Sequence, residues 1–391
     1  MKWEKVKLGS ICDFISGNAW SASDFQSTGE IPIIRIQNLN NSDSSFVYWN
    51  KPYDRKFIIQ KGDMLLSLSG SIKIDIWQGE ECLLNQRIIK IETKENIDKR
   101  WLFWSLLNKI SSIERMGKWA LVNNVSITDL REINIDLPPL PTQLHIASIL
   151  DHANNLRQLN KQLLQKYDEL AQSLFIEMFG ENVAKTEQWP VVHIKDIAAK
   201  HKGSMRTGPF GSTLLHSEFV NKGIAVLGID NAVNNRFEWS ERRYITEEKF
   251  SKLKNYQVFP EDIIITIMGT LGRCAVIPED IPVAINTKHL AAITLDKNVS
   301  EPEFIAFSIR NNQFLQNQLK LRNRGAIMDG LNLGIIKELK MYLPPLKLQK
   351  EFIVKLKNIQ DQKRKLTCNL EKSENLFQSL MQRAFNSELI N

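Results

Sequence analysis

Two regions of this 391-residue chain carry polar, basic and aromatic residues in their predicted turns. Arginine and lysine can neutralise phosphates, while arginine, glutamine and asparagine can also make paired hydrogen bonds to guanine or adenine edges. Each residue alone could be a solvated surface charge, and only the group indicates contact with a nucleic acid. The candidates in the first region are Trp20, Arg35, Gln37, Asn38, Ser69, Lys73, Gln86, Arg87, Lys118 and Trp119. Those in the second region are Lys202, Arg206, Arg242, Arg243, Tyr244, Arg273, Lys288, His289, Arg322 and Arg324.

Sequence motifs that carry catalysis are missing. The chain has no phosphate-binding Gly-x-x-x-x-Gly-Lys-Ser/Thr loop, no His-Glu-x-x-His, no Gly-x-Ser-x-Gly and no dinucleotide-binding Gly-x-Gly-x-x-Gly. Two proline pairs follow Leu137 and Leu343 rather than Asp or Asn, so they are not the motif of amino-methyltransferases. The six histidines form no cluster, and the four cysteines are isolated, which argues against a metal site or a disulfide framework. We therefore expect no catalytic residue, no metal and no cofactor.

Composition indicates a globular protein with an acidic partner. Hydrophobic residues make up 43% of the chain and charged residues 24%. Lys and Arg exceed Asp and Glu by 51 to 44, a net charge of +7, which favours nucleic acid first and a membrane surface second. No apolar run approaches the roughly 18 residues of a membrane span, and the amino terminus lacks the apolar region of a signal peptide. We expect a cytoplasmic protein without a membrane partner.

The sequence Leu-Pro-Pro-Leu-x-x-Gln occurs twice, at 137–143 and at 343–349, 206 positions apart. The same offset aligns the following segments without a gap, as far as Phe179 and Phe385. A fainter match at an offset of 186 pairs Trp3 with Trp189 near the start of each copy. The chain is thus a duplication in which a body of variable length precedes a segment of constant length.

The two bodies have the signature of mixed domains with a mostly β framework. Apolar, β-branched runs bounded by Gly, Asn and Asp predict strands, and three- to four-residue apolar spacing predicts helices. The predicted strands are Ile31–Ile36, Met64–Leu68, Ile224–Ile229 and Ile263–Met268, and the predicted helices are Lys99–Ile113 and Glu301–Leu321. We predict an α/β (α+β) fold with domains at 1–141 and 189–345, a central long helix and linker at 142–188, and a C-terminal long helix at 346–391.

Each constant segment reads as one long helix with a coiled-coil seam. No Gly or Pro interrupts Gln143 to Phe179, and Thr142 is a plausible N-cap. Apolar residues recur at alternating steps of three and four, and a lone polar residue such as Asn160 often fixes the register. The predicted seam residues are Ile146, Ile149, Leu156, Asn160, Leu163, Tyr167, Leu170, Leu174, Phe352, Leu356, Ile359, Leu366, Leu370, Phe377 and Leu380.

Pairing of these two helices within one chain is the economical arrangement. It predicts two long antiparallel coiled-coil helices that separate the domains, with a pseudo-twofold internal repeat. The 38 residues from Thr142 to Phe179 would extend about 57 Å at ~1.5 Å per residue. The helices would then act as a spacer. The alternative is a helix hairpin that lies on a single core and only stabilises it.

The ordered double occurrence of these motifs resembles the specificity (S) subunit of type I restriction-modification enzymes across essentially the whole chain. The resembling motifs are Trp-x-x-Val-x-Leu/Ile at the start of each body, Gly-Asp or Glu-Asp before a strand at 62–63 and 261–262, the Leu-Pro-Pro-Leu-x-x-Gln hinge, and the long helix ending near Gln-Ser-Leu. The resemblance implies two target-recognition domains, each reading one half of a split sequence in double-stranded DNA. Individual base contacts do not carry over, because the bodies are the variable part of the family.

The resemblance also implies the partners. The paired helices would act as a ruler and would dock two modification (methyltransferase) subunits that supply S-adenosylmethionine chemistry. Restriction subunits, which are ATP-dependent translocases and nucleases, would join them, and this chain would be non-catalytic. Because the bodies differ, the target should be asymmetric. The alternatives are a specificity subunit of another restriction-modification class and a coiled-coil scaffold that binds proteins rather than DNA.

Overall fold

The computed structural model describes residues 3–41, 45–118, 125–180, 189–323, 331–386 and 388–389. The chain divides into two compact units. The first unit comprises Met1–Gln162 and Leu366–Asn391, and the second comprises Leu163–Lys365. Each unit therefore contains one of the two bodies, the beginning of one long helix and the end of the other.

The first unit combines short strands with one long and four short helices, within the described residues. Its strands are β1 (Glu4–Lys7), β2 (Cys12–Ser16), β3 (Ile31–Ile34), β4 (Val47–Trp49), β5 (Ile58–Ile59), β6 (Met64–Ser67), β7 (Ile74–Ile76), β8 (Cys82–Leu84), β9 (Ile88–Thr93) and β10 (Asn134–Leu137). Its helices are α1 (Leu8–Ile11), α2 (Lys99–Asn108), α3 (Ile110–Lys118), α4 (Ile127–Arg131) and the start of α5 (Leu140–Phe179).

The second unit repeats this order with two differences in its short helices: a 3₁₀ helix (Ile194–Asp196) takes the place of α1, and an α-helix is added after the fourth strand. Its strands are β11 (Val191–His193), β12 (Met205–Thr207), β13 (Ile224–Leu227), β14 (Arg243–Ile245), β15 (Gln257–Val258), β16 (Ile263–Thr266), β17 (Cys274–Val276), β18 (Ala284–Asn286), β19 (Leu290–Ile293) and β20 (Lys340–Tyr342). Its helices are α6 (Glu247–Leu253), α7 (Pro302–Asn311), α8 (Gln313–Asn323), α9 (Leu333–Lys337) and the start of α10 (Leu346–Phe385).

Sheet topology confirms the duplication. The first unit has a four-stranded sheet in the order β2-β9-β6-β7, a second in the order β4-β3-β8-β5, and the pair β1-β10. The second unit has β12-β19-β16-β17, β14-β13-β18-β15 and the pair β11-β20. In each unit the only parallel pairing among the described strands joins equivalent strands, β3 with β8 and β13 with β18. The mixed fold with a mostly β framework is as predicted.

Each predicted helix of the bodies is in fact a pair of shorter helices. Lys99–Ile113 was expected as one helix, but α2 ends at Asn108 and α3 follows after Lys109. In the second unit the break falls at Asn312, whose extended backbone ends α7. The Asn312 side chain accepts from the backbone N–H of Leu315 (3.2 Å) and so begins α8. Periodicity alone could not locate these breaks, because the apolar spacing continues through them.

The two long helices have the same length and begin at equivalent residues. Both contain 40 residues, about 60 Å at ~1.5 Å per residue. The first begins at Leu140, three residues before the start at Gln143 expected with Thr142 as N-cap, so Thr142 lies inside the first turn. The backbone N–H groups of Thr142 and Gln143 both donate to the Pro139 carbonyl (2.9 and 3.0 Å). Pro141 fits this turn, because a proline in the first turn lacks only an N–H that has no intrahelical partner.

The long helices run antiparallel within each unit. In the first unit Arg157 stacks on the Phe377 ring, 4.1 Å from its centroid, and the Asn160 amide donates to the Ser373 hydroxyl (3.4 Å). In the second unit Asp168 pairs with Lys363. The polar seam position Asn160 thus meets a polar seam position of the other helix, as expected for a residue that fixes register.

The predicted seam residues of the second helix are buried or half-buried, whereas three of those in the first helix are exposed. Phe352, Leu356, Leu366 and Phe377 are buried, whereas Leu156, Leu163 and Leu170 are 48%, 45% and 49% exposed. From Ala153 onward the first helix instead presents Arg157, Leu164, Ala171 and Phe175. The physical reason is visible at Arg157, which also pairs with Glu374 (3.1 Å). A leucine at position 157 could form neither the ion pair with Glu374 nor the cation–π contact with Phe377. Leu156, Leu163 and Leu170 lie instead on an exposed face.

Candidate nucleic-acid interface

Strand pairing brings three segments of the first unit to one edge. Strands β3 and β8 run parallel, with Ile34 opposite Leu84, so the residues that follow each strand lie at the same end. Strand β6 ends there too, since Ser67 is opposite Ile88 at the start of β9. We call the segments 35–38, 67–73 and 85–87 the first polar edge. This edge brings together seven of the predicted contact residues, namely Arg35, Gln37, Asn38, Ser69, Lys73, Gln86 and Arg87.

The turn between β8 and β9 is held by backbone contacts and presents its side chains outward. The backbone N–H of Leu68 donates to the Arg87 carbonyl (2.9 Å), and that of Gln86 donates to the Asn18 carbonyl (2.9 Å). Gly17 packs so closely that a Cβ atom would lie 2.1 Å from the Asn85 carbonyl oxygen. With the backbone fixed in this way, the exposed side chains of Gln86 and Arg87 are available to a partner.

Asn38 and Lys73 stabilise the first polar edge from within. The Asn38 side chain accepts from the backbone N–H of Arg35 (2.8 Å) and is buried. The Lys73 ammonium donates to the Leu39 carbonyl (3.2 Å), and its backbone N–H donates to the Ser67 hydroxyl (2.7 Å). These two residues were predicted as nucleic-acid contacts, and the structure gives them a scaffolding role.

The second unit builds the same edge with different residues at its tip. Leu227 is opposite Asn286 in the parallel pair, and Thr266 is opposite Leu290. The backbone N–H of Ile267 donates to the His289 carbonyl (2.9 Å), as that of Leu68 does to Arg87. We call the segments 228–231, 266–273 and 287–289 the second polar edge. Lys288 and His289 therefore occupy the positions of Gln86 and Arg87.

The internal scaffold of the second polar edge also repeats. The buried Asn231 side chain accepts from the backbone N–H of Gly228 (2.8 Å), as Asn38 does from Arg35. The backbone N–H of Arg273 donates to the Thr266 hydroxyl (3.0 Å), as that of Lys73 does to Ser67. The Arg273 side chain, however, is exposed. The framework has been copied, while the side chains that face outward have not.

The second polar edge carries the cations Arg273 and Lys288 and one anion, Asp230, whose charge is balanced by a neighbouring arginine. Arg243 forms an ion pair with Asp230 of this edge. Burial, together with the nearby charges of Lys288 and Arg243, lowers the pKa of His289 below its usual value. His289 is therefore neutral at pH 7, when its imidazole can both donate and accept a hydrogen bond.

Several buried polar atoms at the two edges have no hydrogen-bond partner within the described protein. Native proteins satisfy nearly all such atoms, so an unsatisfied group indicates a partner outside the chain or bound water. At the first edge these atoms are Arg35 Nε and Ser69 Oγ, and at the second they are Asp230 Oδ2 and Thr287 Oγ1, with Arg243 Nε and Asn286 Oδ1 on the adjoining strands. They include both donors and acceptors, as recognition of base edges requires.

Trp20 and Arg206 are structural, contrary to their prediction as contacts. Trp20 is buried and donates from its indole N–H to the Leu84 carbonyl (3.0 Å). Arg206 is 7% exposed and pairs with Asp262. It also donates to the Gln257 carbonyl (2.7 Å). Both side chains make their polar contacts in the interior of the protein, and residue type alone could not predict this.

The remaining candidates lie outside the edge frameworks. Lys202 and Arg242 are exposed in turns, and Tyr244 is half-buried in β14. Arg242 lies over the ring of Trp239, 4.9 Å from its centroid, an aromatic residue that the sequence analysis did not select. Lys118 and Arg322 lie in α3 and α8, and Trp119 and Arg324 lie outside the described residues.

Among the described residues, no group of three or more His, Cys, Asp or Glu side chains is arranged to hold a metal ion. In the same part of the chain, no helix combines the length and hydropathy needed to cross a membrane. The buried cysteines Cys12 and Cys274 have raised pKa values because burial disfavours the thiolate, to about 12 and about 11. These thiols are packing residues rather than nucleophiles.

Two repeated α/β bodies, each with an outward polar edge and a long helix, define a duplicated protein suited to contact nucleic acid at two places. A family model described as the type I restriction modification DNA specificity domain matches residues 1–167 and 186–373. The chain belongs to this family of specificity subunits. The resemblance noted in the sequence is thereby confirmed.

Relatives with this architecture are distant in sequence. The chain is 24% identical to the type I restriction enzyme EcoBI specificity subunit of Escherichia coli, over 99% of this chain and 86% of the relative. It is also 24% identical to the MjaVIII specificity subunit of Methanocaldococcus jannaschii, over 97% and 92%. The crystal structure of a type I restriction-modification S subunit from M. genitalium has the same fold, with a TM-score of 0.61 and 16% identity over 98% of this chain and 96% of that one.

Proposed function

We propose that this chain is the DNA sequence-specificity subunit of a type I restriction-modification enzyme and that each polar edge reads one half of a split target. The recognition domains are residues 1–141 and 189–345. The long helices of segment 142–188, which also holds a linker, and of segment 346–391 set the spacing between the half-sites. The observation that carries the proposal is the copied scaffold of the two polar edges with uncopied side chains at the tips of their turns.

The chemistry of the tips favours two different half-sites. Gln86 and Arg87 can make paired hydrogen bonds to adenine and to guanine, respectively. At the second edge Lys288 can bind guanine or phosphate, neutral His289 can donate and accept, and the free oxygen of Asp230 can accept from the cytosine amino group. Because the two tips carry different donors and acceptors, the target is asymmetric.

Partners supply the catalysis in this proposal. Two modification subunits bring methyl transfer from S-adenosylmethionine, and restriction subunits bring ATP-dependent translocation and cleavage. The half-exposed leucines of the first long helix, Leu156 and Leu159 in the first unit and Leu163 and Leu170 in the second, are apolar surface that such a partner can cover. The complex would act in the cytoplasm, where its DNA target lies. The isolated chain should neither bind S-adenosylmethionine nor hydrolyse ATP.

Exchange of one recognition domain tests the proposal. Residues 1–137 are replaced by the equivalent body of another specificity subunit, and methylated sequences are mapped across the genome of cells that express the complex. One half of the target should change while the other half and the spacer remain. A change in both halves would contradict independent reading by two domains.

Matched insertions test the spacer separately. One heptad added to both long helices at equivalent positions should lengthen the gap between half-sites, because both partners of the seam grow together. The same heptad added to one helix alone should disturb the pairing instead. An unchanged gap after the matched insertion would refute the role of the helices as a ruler.

A further inference from the structure

The glutamine that ends the repeated Leu-Pro-Pro-Leu-x-x-Gln sequence has a buried side chain in both units. Gln143 is 1% exposed and Gln349 is 0% exposed. A buried amide is costly unless its donors and its acceptor are all used, because its hydrogen bonds to water are lost. Both glutamines lie in the first turn of a long helix, so their contacts join that helix to the body of the unit.

Gln143 connects three segments of the first unit. Its amide oxygen accepts from the backbone N–H of Asp98 (2.8 Å), the residue that caps α2 through its own side chain. Its amide nitrogen donates to the carbonyls of Pro138 (2.9 Å), just after β10, and of Asn96 (3.3 Å). Through these hydrogen bonds the side chain joins the start of α5 to two other parts of the unit, namely the end of β10 and the start of α2.

Gln349 makes the same three contacts in the second unit. Its oxygen accepts from the backbone N–H of Glu301 (3.0 Å), and its nitrogen donates to the carbonyls of Pro344 (2.8 Å) and Val299 (3.1 Å). The two copies share the bonding pattern although the residues around them differ. An amide with all of its bonds directed into backbone has one favourable orientation, whereas an apolar side chain of similar size could accept several.

One further contact limits rotation of the first body. Asp151 of α5 accepts from the Trp104 indole N–H (2.9 Å) and from Arg100 (3.1 Å), both on α2. It lies two turns beyond Gln143 along the same helix. Two polar attachments separated along an axis oppose rotation about that axis more strongly than either does alone.

We propose that Gln143 and Gln349 are positioning residues that fix the orientation of each recognition domain on its long helix, and thereby restrict the DNA target to one spacer length. This rests on the proposed function, since orientation has consequences only if each domain reads a half-site. The consequence is specific to the glutamines. Loosening either one changes which spacers are accepted, while the base preference of each half-site, set at the polar edges, is retained.

The test compares variants of the full chain, assembled with the modification subunits of its own system, on DNA duplexes that carry both half-sites. The spacer is the native length or is one base pair longer or shorter, and relative affinity is measured by competition. Gln143→Leu should reduce the preference for the native spacer about tenfold, which corresponds to about 1.4 kcal/mol. A matched control is Ile59→Ala, which creates a cavity in a core of the same unit that contains no long-helix residue.

The Gln143→Glu variant provides a second readout. An ionised carboxylate can accept from the backbone N–H of Asp98 but cannot donate to the carbonyls of Pro138 or Asn96, whereas a protonated carboxyl can accept from Asp98 and donate its one O–H to one of these carbonyls. Spacer preference should therefore be low at about pH 8 and should recover at about pH 5.5, relative to the unaltered protein at each pH. A merely structural role would lower stability without this recovery.

The possible outcomes separate the two proposals. If the unaltered complex shows no preference among DNA sequences, the proposed function itself fails. If the unaltered complex is selective and Gln143→Leu keeps its spacer preference while its melting temperature falls as in Ile59→Ala, only the positioning role is overturned. If Gln143→Leu loses spacer preference but still rejects altered half-sites, the positioning role is supported.

Discussion

Removal of the Arg206 side chain should destabilise the second unit without weakening DNA contact. Asp262 is fully buried, and its carboxylate pairs with the Arg206 guanidinium. In Arg206→Ala the carboxylate keeps the backbone N–H of Phe259 (2.8 Å) and the Thr294 hydroxyl but loses its only cation among the described residues. Breaking a buried ion pair in this way costs about 3–5 kcal/mol. The melting temperature of the second unit should fall by about 6–20 °C, at roughly 2–4 °C per kcal/mol for a unit of this size.

The loss should depend on pH. Burial raises the pKa of Asp262, and the charge of Arg206 opposes that rise. Without Arg206 the folded-state pKa lies further above the unfolded value of about 3.9. The folded state then holds the proton more tightly, so stability is greatest at low pH and falls as the pH rises from about 3.9 through the folded-state pKa. The deficit relative to the unaltered protein should be smaller at about pH 5 than at about pH 8.

The assay pairs thermal unfolding with DNA binding, and Arg273→Ala is the matched control. Arg273 belongs to the same unit, but its side chain is exposed at the second polar edge. Its removal should leave the melting temperature nearly unchanged and should weaken binding. If Arg206→Ala unfolded like the unaltered protein but lost DNA binding, the assignment of Arg206 to the interior and of the polar edge to DNA would both be refuted.

Three further outcomes follow from the contacts. Asp151→Ala should destabilise the first unit by about 1–2 kcal/mol, measured by denaturant unfolding, because the Trp104 indole loses its acceptor; no change would show that this attachment is not formed. Leu156→Ala should lower the free energy of unfolding by less than about 0.5 kcal/mol, and Phe377→Ala by about 3–5 kcal/mol. The reverse order would indicate that Leu156 lies in the seam, as the sequence predicted. Arg87→Ala should lower the slope of log affinity against log salt by at most about 1 if it contacts phosphate, or relax one base position if it reads guanine.

The duplication and the long helices could be predicted because both follow directly from the sequence, without knowledge of tertiary contacts. A gapless offset of 206 residues needs no knowledge of folding, and apolar spacing free of Gly and Pro is enough to predict a long helix. In the second helix the predicted seam residues Phe352, Leu356 and Phe377 are large and apolar at regular steps, and all three are buried. In the first helix the same rule chose Leu156, but the partner residues Glu374 and Phe377 favour Arg157.

For the candidate site, residue type identifies possible contacts but not their surroundings. Gln86 and Arg87 lie at the tip of an exposed turn, where the pattern of strands placed them. Arg206 could not be assigned in the same way, since its partner Asp262 lies 56 residues away in sequence. Nor could the correspondence of Lys288 with Gln86 be seen, because it follows from strand pairing rather than from sequence similarity.

Methylation mapping of a tip exchange tests the central claim most directly. Gln86→Lys combined with Arg87→His gives the first polar edge the tip residues of the second, while the backbone contacts that hold the turn are unchanged. The complex should change its preference at bases of one half-site only, with the other half and the spacer retained. Methylation of an unchanged target, or a change in both half-sites, would contradict reading of one half-site by each polar edge.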